Sequence, residues 1–433
     1  MFSRPKNVSS RTFFLGVMEK DGCENCVLLL KRIEELEKRL LAYENAHTPP
    51  SKQRGQRHYP KPENSSGNRG APLGHTGTTR KEPEPNEHKT LSLEHCPKCS
   101  TELGEPQRVE RRIIEEIPEP KPLRIIEFSV PHYWCTNCAK EVIATDPELP
   151  KEGNLGNNLL TQIVLAKYEE RLPCRKIESL LDRQYKLKLT ASTILDVTRR
   201  VAQQLQPIYN RIQQEIGSSD RCNADETGSK LNGKKYWLWL FMSTTSVLFL
   251  FRKRREAKVI REVLGEDYSG ILNCDGLKAY RTIVRLVQRC WAHLLREAKF
   301  LAQKHKGQAK VLYDSLIELF EEMKGKLISV EKAMEKMSLF LTIAKAYQEL
   351  RKFAVLIENG LEHWFTCLKY ENVEPTNNRA EQQLREFVIQ RKIYPTFRSE
   401  EGMKNAEVIM SALATWKLRG MNTFTLLRQV LSS

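Results

Sequence analysis

Three acidic residues, far apart along the chain, stand where predicted strands and a helix meet turns. Asp225 ends the first predicted strand in NADETG, Asp275 follows a short apolar strand in NCDGLKAY, and Glu381 opens a helix in NNRAEQQ. A carboxylate at the end of a buried strand is costly unless it is paired or binds a metal. Three such groups favour Mg²⁺ or Mn²⁺, and two ions about 4 Å apart can stabilise both the attacking and the leaving oxygen of a phosphoryl transfer. Acids that serve only as turn or cap residues give the same pattern. Glu226 and Glu386 are alternative candidates for the metal-binding set.

Cysteine spacing indicates a second kind of metal site. The sequence has 11 cysteines, and an odd number arranged partly in C-x-x-C pairs favours metal binding in a reducing compartment over a disulfide framework. The two strongest pairs are Cys96 with Cys99 and Cys135 with Cys138. Four thiolates on two tight turns suit a closed tetrahedral Zn²⁺ site, which folds a module and does not catalyse; free thiols are the alternative. The pair Cys23 and Cys26 has no second pair nearby and is a weak signal.

The chain carries a large positive charge. Its 433 residues include 70 Lys and Arg against 54 Asp and Glu, a formal net charge of +16. An excess of this size suits a polyanion, most often nucleic acid, with an acidic membrane surface as the rival partner. No apolar run approaches the roughly 18 residues of a membrane-spanning helix, and the N-terminal segment does not have the pattern of a signal peptide. We therefore expect a cytoplasmic protein with a substantial core.

The N-terminal part of the chain divides by composition. Residues 1–46 contain a leucine-rich amphipathic helix, which indicates either a short coiled coil or a helix packed on its own chain. Residues 47–90 are rich in Pro, Gly, Ser and Thr and predict a disordered basic linker, whose arginines either follow phosphates or stay solvated. Residues 91–147 hold the two strong cysteine pairs, with short strands expected between them.

Residues 150–210 have the pattern of a helix-turn-helix. One helix has apolar positions at Ile177 and Leu181, and the next can be capped by Thr190 or Ser192. The pattern fits DNA binding, although helical hairpins unrelated to DNA share it. The candidate DNA contacts, here and in the helix that carries the third acid, are Arg175, Lys176, Arg199, Arg200, Arg379 and Arg385.

From residue 218 the pattern changes to strands. A turn at Asn232-Gly233 follows the first strand, and the predicted order is β-β-β-α-β-α-β, which indicates a mixed sheet with helices on its faces. The last strand is expected in RCWAH, residues 289–293. The predicted catalytic domain spans residues 218–400 with a helical insertion at 294–370, and residues 401–433 form a C-terminal helical segment of open role.

Four motifs, taken in their order along the chain, resemble those of the transposases of the insertion sequence 66 family, members of the DDE recombinase superfamily. The motifs are Ala224-Asp225-Glu226-Thr227 before Trp237-Leu238-Trp239, Cys274-Asp275-Gly276 with Tyr280, Cys290-Trp291-Ala292-His293 with Arg296, and Asn377-Asn378-Arg379-Ala380-Glu381 with Leu384-Arg385 and Arg391-Lys392. The likeness covers residues 25–430, more loosely after Arg391-Lys392. Cys274 stands where the family usually has serine or another small residue, which is a conservative exchange.

The resemblance implies a multidomain α+β protein. Its catalytic core would be RNase H-like and mixed α/β with an all-α insertion, preceded by a zinc-ribbon-like module and a helix-turn-helix. Asp225, Asp275 and Glu381 would bind two Mg²⁺ or Mn²⁺ ions and cleave and join DNA at the ends of a mobile element. His293, on the fifth strand, would support the site by packing or by positioning phosphate. Arg385 would contact phosphate or pair with Glu381.

The implied partners are double-stranded DNA, both element ends and target, and a second copy of the chain. Because two ends must meet, a homodimer or higher assembly is expected, with helper proteins of the same element possible and no membrane. Two alternatives stay open: a non-catalytic zinc and helix-turn-helix DNA-binding regulator or inactive remnant, and an RNase H-like nuclease without joining activity.

Overall fold

A computed structural model describes residues 29, 32, 35, 36, 82–117, 119–305 and 307–432. Four residues of the predicted leucine-rich segment have helical backbone conformation, namely Leu29, Arg32, Glu35 and Leu36. The rest of that segment, the pair Cys23 and Cys26, and the linker up to residue 81 lie outside the described residues. Residues 125–432 belong to one compact unit and residues 82–124 to another, and each is described by itself. Among the helices of these ranges, none is both long and apolar enough to span a bilayer.

The first strong cysteine pair forms a tight turn in the smaller unit. His95 and Glu102 make an antiparallel bridge, and the turn between them contains Cys96 and Cys99. The N–H of Ser100 donates to the carbonyl of Cys96 at 2.8 Å, and Ser100 itself has a positive φ of 56°.

The second pair forms a similar turn in the larger unit. Strands β1 (His132–Cys135) and β2 (Lys140–Ile143) pair antiparallel around Cys138, and Ala139 has a positive φ of 47°. Between the two turns, the described residues from 104 to 131 form no strand, and β1, which begins at His132, is the strand found in the stretch where short strands were expected. Because the four cysteines are divided between the two units, a shared zinc site stays a prediction.

Between β2 and the central sheet lie three helices: α1 (Asn157–Tyr168), α2 (Cys174–Tyr185) and α3 (Ala191–Gly217). Thr190 caps α3 as predicted, because its hydroxyl accepts the N–H of Thr193 at 3.3 Å. The buried residues of α3 share one apolar core with α1, α2 and the sheet, so these helices do not form a core of their own. Their role as a helix-turn-helix stays a prediction.

Five strands form the central sheet in the spatial order β5-β4-β3-β6-β7. They are β3 (Arg221–Leu231), β4 (Lys234–Met242), β5 (Val247–Arg252), β6 (Ile271–Cys274) and β7 (Leu286–Arg289). Neighbouring strands are antiparallel from β5 to β3 and parallel from β3 to β7. Helices α4 (Ala257–Leu264) and α5 (Lys278–Arg281) make the two crossovers, which confirms the predicted order of elements and the mixed sheet.

The turn between β3 and β4 is the predicted two-residue hairpin. Asn232 and Gly233 have φ values of 47° and 78°, the left-handed conformation that this pair adopts at low cost. The last strand was predicted wrongly in RCWAH: β7 ends at Arg289, and a helix begins two residues later at Trp291.

The helical insertion has its own apolar core. Its helices are α6 (Trp291–His305), α7 (Gln308–Lys324), α8 (Val330–Ala346), α9 (Arg351–Glu358) and α10 (Thr366–Lys369). Trp291, Trp364 and Phe365 are fully buried in this core, and the Trp291 ring packs edge-on against that of Trp364 at 6.0 Å. The insertion therefore begins at Trp291, three residues before the predicted start.

Three helices close the described chain: α11 (Asn378–Ile393), α12 (Glu400–Leu418) and α13 (Thr423–Ser432). The two faces of the sheet enter different cores, as alternation along a strand requires. Ala224 and Trp239 belong to the core with α1 to α4, whereas Leu240 and Phe249 belong to a core with α11 and part of α12.

Helix α12 covers the edge strand β5. Residues spaced by one helical turn accept its outward N–H groups: Thr415 from Val247, Ser411 from Phe249 and Glu407 from Phe251. An open strand edge is prone to pair with other chains, and these contacts satisfy it within the molecule. The C-terminal segment is thus part of the sheet domain's packing.

Candidate active site

Asp225 lies in the interior of β3, and not at a strand end as expected from the sequence. The strand pairs with β4 from Asn223 to Leu231, but with β6 only from Arg221 to Asn223. Beyond Asn223, therefore, the edge of β3 that faces β6 is not paired with β6. Asp275 directly follows the last residue of β6 and stands beside this stretch of β3.

The carboxylates of Asp225, Glu226 and Asp275 converge at the end of β6. One oxygen from each lies within 4.8 Å of the other two. Asp225 accepts the N–H of Glu226 at 2.9 Å, and Asp275 accepts the N–H of Leu277 at 2.8 Å. Backbone donors therefore hold both aspartates, and Glu226, a competing acid in the sequence, is a member of the cluster.

Burial and neighbouring charge raise the pKa of two of these acids, Asp225 and Glu226. Burial, followed by the negative charges of Glu226, Asp275 and Glu381, raises the pKa of Asp225 to about 8. Burial and the charge of Asp275 raise the pKa of Glu226 to about 7, although hydrogen bonds from Tyr280 and Arg255 oppose the rise. The cluster holds more negative charge than its own surroundings compensate.

Glu226 is fixed by two donors from different elements. The Tyr280 hydroxyl on α5 donates to Oε2 at 2.5 Å, and Arg255 Nε donates to Oε1 at 2.6 Å. Arg255 also lies 3.4 Å from Asp275. Arg255 was not predicted as a site residue, because it lies in a basic run, and such runs are typical of solvated surface segments.

Glu381 is brought to β3 by the residue that precedes its helix. The Asn377 amide donates to the carbonyl of Ala224 at 2.8 Å and accepts from the Asn223 amide at 2.9 Å. The Asn377 N–H donates to Cys290 Sγ at 3.1 Å, and the Asn377 side chain is fully buried. Glu381 follows one helical turn later, so its charge acts on Asp225. The sequence pattern does not reveal this tertiary role of Asn377.

The far end of α11 is fixed to the same strand. Arg391 Nη1 donates to the Thr227 hydroxyl at 3.0 Å. After the helix, the N–H of Phe397 donates to Lys230 O at 2.9 Å, and the N–H of Asn232 donates to Phe397 O at 2.8 Å. Helix α11 therefore runs along β3, and the third acid lies beside the strand that carries the first.

His293 and two neighbours surround Glu381. His293 was expected on the fifth strand but lies in the first turn of α6, where burial of Trp291 and Leu294 at helical spacing turns the chain away from the sheet. Its Nδ1 is 3.7 Å from Glu381 Oε1, Arg296 Nη2 is 3.8 Å from Oε2, and Cys290 Sγ is 4.0 Å from Oε1. Burial raises the pKa of the Cys290 thiol, and backbone N–H groups partly offset the rise.

The candidate DNA contacts fall into two groups. Arg175 and Lys176 are exposed in the first turn of α2, and Arg385 is exposed on α11, while Arg379 is half-buried. Arg199 and Arg200 are instead engaged within the chain. Arg199 pairs with Asp196 at 2.7 Å and with Glu152 at 3.0 Å, and buried Arg200 pairs with Asp196 at 3.1 Å. Arg200 is therefore an internal cation rather than a surface group.

The donor set suits a hard divalent cation. Asp225, Glu226 and Asp275 offer only oxygens. Burial, followed by neighbouring negative charge, raises the pKa of Asp225 and of Glu226, and a bound cation would relieve the repulsion part of that rise. The arrangement is thus able to hold a hard divalent cation at the end of β6, whereas the Glu381 carboxylate, on α11, lies with Cys290 and His293.

Comparison with known proteins identifies relatives of the chain. The family model described as Transposase IS66 family matches residues 152–405. Three uncharacterized proteins of Sinorhizobium fredii are also similar. The protein y4qI is 24% identical over 362 residues, 72% of this chain and 66% of its own length. The protein y4hP is 23% identical over 74% of this chain and 66% of its own length, and y4jD is 24% identical over 72% and 69%. The chain thus spans just under two thirds of the first two relatives.

Proposed function

The chain belongs to the IS66 family of transposases, and from this premise we propose that it is a metal-dependent DNA transposase. It binds the terminal inverted repeats of a mobile element, hydrolyses a phosphodiester at each end and joins the freed 3′-OH to target DNA. Asp225, Asp275 and Glu381 are its metal-binding carboxylates.

One observation carries the proposal. Carboxylates from β3 and from the end of β6 lie within 4.8 Å of each other, and the charge of Glu381, from a helix more than 100 residues further along the chain, acts on Asp225. A purely structural use of these acids is disfavoured, because clustering buried like charges costs stability.

Divalent cations held by these carboxylates would stabilise charge on the attacking and leaving oxygens of the phosphodiester. The chain's own residues prepare that position. Asn377 sets the approach of Glu381, and backbone donors orient Asp225 and Asp275. Tyr280 and Arg255 fix Glu226 beside them, which makes Glu226 a further candidate ligand.

DNA binding is assigned to the basic surface and to the N-terminal modules. Cys96, Cys99, Cys135 and Cys138 bind a structural Zn²⁺, and α2 with α3 acts as the helix-turn-helix. Exposed Arg175, Lys176 and Arg385 contact phosphates, which supply affinity rather than sequence choice. The protein works in the cytoplasm as a dimer or higher assembly, because two ends must be held together.

A labelled duplex that carries the element's terminal repeat tests the proposal. With Mg²⁺ the parent chain cleaves it and yields joined products, whereas Asp225→Asn, Asp275→Asn and Glu381→Gln each bind the duplex but cleave it slower by about 10³-fold or more. Glu386→Gln is the matched control, because Glu386 lies on α11 with Glu381 but is exposed and pairs with Arg171.

The outcomes separate the alternatives. Binding by the parent chain without cleavage in Mg²⁺ or Mn²⁺ would indicate a DNA-binding regulator or an inactive remnant. Cleavage without joined products would indicate a nuclease. Normal cleavage by any one of the three carboxylate variants would remove that residue from the metal site.

A further inference from the structure

Three different metal-ligating groups meet on the side of Glu381 that faces α6. Cys290 Sγ, His293 Nδ1 and a Glu381 oxygen all lie within 4.8 Å of one another. The distance from His293 Nδ1 to Glu381 Oε1 is 3.7 Å, and that from Cys290 Sγ to the same oxygen is 4.0 Å. This cluster is chemically unlike the all-oxygen cluster at the end of β6.

The donor set and its spacing fit zinc. Tetrahedral Zn²⁺ has bonds of about 2.3 Å to sulfur and about 2.0–2.1 Å to nitrogen and oxygen, so its ligand atoms lie roughly 3.3–3.5 Å apart. The separations of 3.7 Å and 4.0 Å exceed this range by about half an ångström or less, which small side-chain rotations remove. Sulfur and imidazole are ligands that zinc accepts and magnesium does not.

The local fold presents these ligands together. Cys290 directly precedes α6, and His293, three residues later, lies on the same side of its first turn. Cys290 is only 1% exposed, and its sulfur receives N–H groups from Asn377, His293 and Ala292. Such N–H donors stabilise a coordinated thiolate and hold it in place. The side chains of His293 and Glu381 are 26% and 31% exposed, which leaves a path for an ion and a water ligand.

We propose that Cys290, His293 and Glu381 form a Zn²⁺ site with a fourth position open to water. Binding releases the thiol proton of Cys290 to solvent and involves no change of oxidation state. Because Glu381 serves both this site and the carboxylate cluster, zinc withdraws it from Mg²⁺ and inhibits cleavage. The inhibition rests on the proposed function, whereas zinc binding itself does not.

Zinc content of the full-length chain tests the site. Purified protein is stripped with a chelator, loaded with Zn²⁺, freed of excess metal and analysed by mass spectrometry. Cys290→Ser and His293→Ala should each hold one zinc per chain fewer than the parent. The cysteines of the predicted ribbon are the same in all variants, so their zinc cancels in the comparison.

Cys367→Ser is the matched control, because Cys367 is also buried but lies in the insertion core. It should keep the parent's zinc content. Equal zinc in the parent, Cys290→Ser and His293→Ala would overturn the proposal. If Cys290→Ser fails to fold, the His293→Ala variant alone decides, since its histidine is partly exposed and Cys290 is retained.

Inhibition is measured separately. Micromolar Zn²⁺ should slow Mg²⁺-dependent cleavage by the parent, and added Mg²⁺ should relieve the effect. A lower zinc content in the variants together with no cleavage by the parent would leave the site standing and reject the transposase activity. Cleavage that zinc does not affect would reject the regulatory role.

Discussion

At the residue scale, acidic side chains are buried at positions where their ionised forms destabilise the folded state. Asp225 and Glu226 are adjacent, largely buried and close to Asp275, and the pKa of each is raised to about 8 and about 7, respectively. The folded chain therefore binds protons at these groups more tightly than the unfolded chain does. Their contribution to stability is lost as the pH rises through these values, which is the expected cost of preparing a cation site.

The raised pKa of Asp225 predicts how metal requirement depends on pH. Below about pH 8 a proton competes with the cation for Asp225, so the Mg²⁺ concentration for half-maximal cleavage should fall as the pH rises from about 6 to about 9. The fall should approach tenfold per pH unit at the acidic end, where one proton is displaced. Cleavage rates measured across Mg²⁺ titrations at each pH check this.

Saturating Mg²⁺ is the internal control, because it should remove most of the pH dependence assigned to Asp225. A metal requirement that stays constant or increases between about pH 6 and about pH 9 would show that the Asp225 proton does not compete with the cation.

Residue types and motif order predicted Asp225, Asp275 and Glu381 as one set. The structure brings Asp225 and Asp275 together with Glu226, whereas the Glu381 carboxylate lies with Cys290 and His293. The same reasoning could not find Arg255, because a cation in a basic run acquires its role only when the chain folds it onto Glu226 and Asp275. It also could not show that Arg200 is buried against Asp196, since helical spacing alone leaves open which cations face solvent.

At the element scale, placement of Glu381 depends on how α11 is attached to β3. Asn377 joins Asn223, Ala224 and Cys290 at the start of the helix, and Arg391 and Phe397 hold the other end to the strand. The helix is therefore fixed at both ends, and the third acid is positioned by contacts outside the carboxylate cluster.

Asn377→Ala should disturb this placement without removing any carboxylate. It leaves the buried carbonyl of Ala224 without its amide donor, which should cost about 1–3 kcal/mol of the free energy of unfolding. Cleavage should fall by about 10–100-fold with a higher Mg²⁺ requirement, as for loss of a group that orients a metal ligand. Urea unfolding and Mg²⁺ titrations of cleavage measure the two effects.

Asn378→Ala is the matched control, because Asn378 is the neighbouring asparagine and is exposed. It should retain stability and cleavage close to those of the parent. If Asn377→Ala loses stability but keeps the parent's Mg²⁺ requirement, Asn377 supports the fold and does not position Glu381.

The order of the helices and strands was predicted more accurately than the residues at which they begin and end. Alternation, the Asn232-Gly233 turn and helical spacing predicted the β-β-β-α-β-α-β order. The end of β7 was missed because Trp291 is apolar in either conformation, and its burial in the insertion core decides for helix. The role of α12 could not be predicted, because polar residues such as Ser411 can be recognised as partners of a strand edge only when their hydrogen bonds to β5 are seen.

At the scale of the whole molecule, charge and modular composition favour a nucleic-acid partner. The chain has a net charge of +16, which suits a polyanionic partner. The apolar core shared by α1, α2, α3 and the sheet couples the predicted DNA-binding helices to the catalytic region. From the sequence, these helices and the sheet were predicted as separate domains, because burial in a common apolar core is visible only in the folded structure.

Binding of terminal-repeat DNA should weaken strongly with salt. If several phosphates are neutralised, the association constant should fall by at least about tenfold between about 50 and about 200 mM NaCl, as measured by fluorescence anisotropy. Arg175→Ala and Lys176→Ala should each reduce the log–log slope by about one. Lys310→Ala is the control, since Lys310 is exposed on the insertion and pairs with Asp314. A slope near zero would exclude binding through phosphates.

The most direct test of the metal site is the position of Mn²⁺ in a crystal of the full-length chain. Anomalous scattering at the manganese edge from MnCl₂-soaked crystals would locate the ion among the side chains. We predict Mn²⁺ bound by Asp225 and Asp275, with Glu381 as a further ligand from α11. Mn²⁺ absent from the end of β6, or held there while Glu381 points away both with and without DNA, would contradict the account.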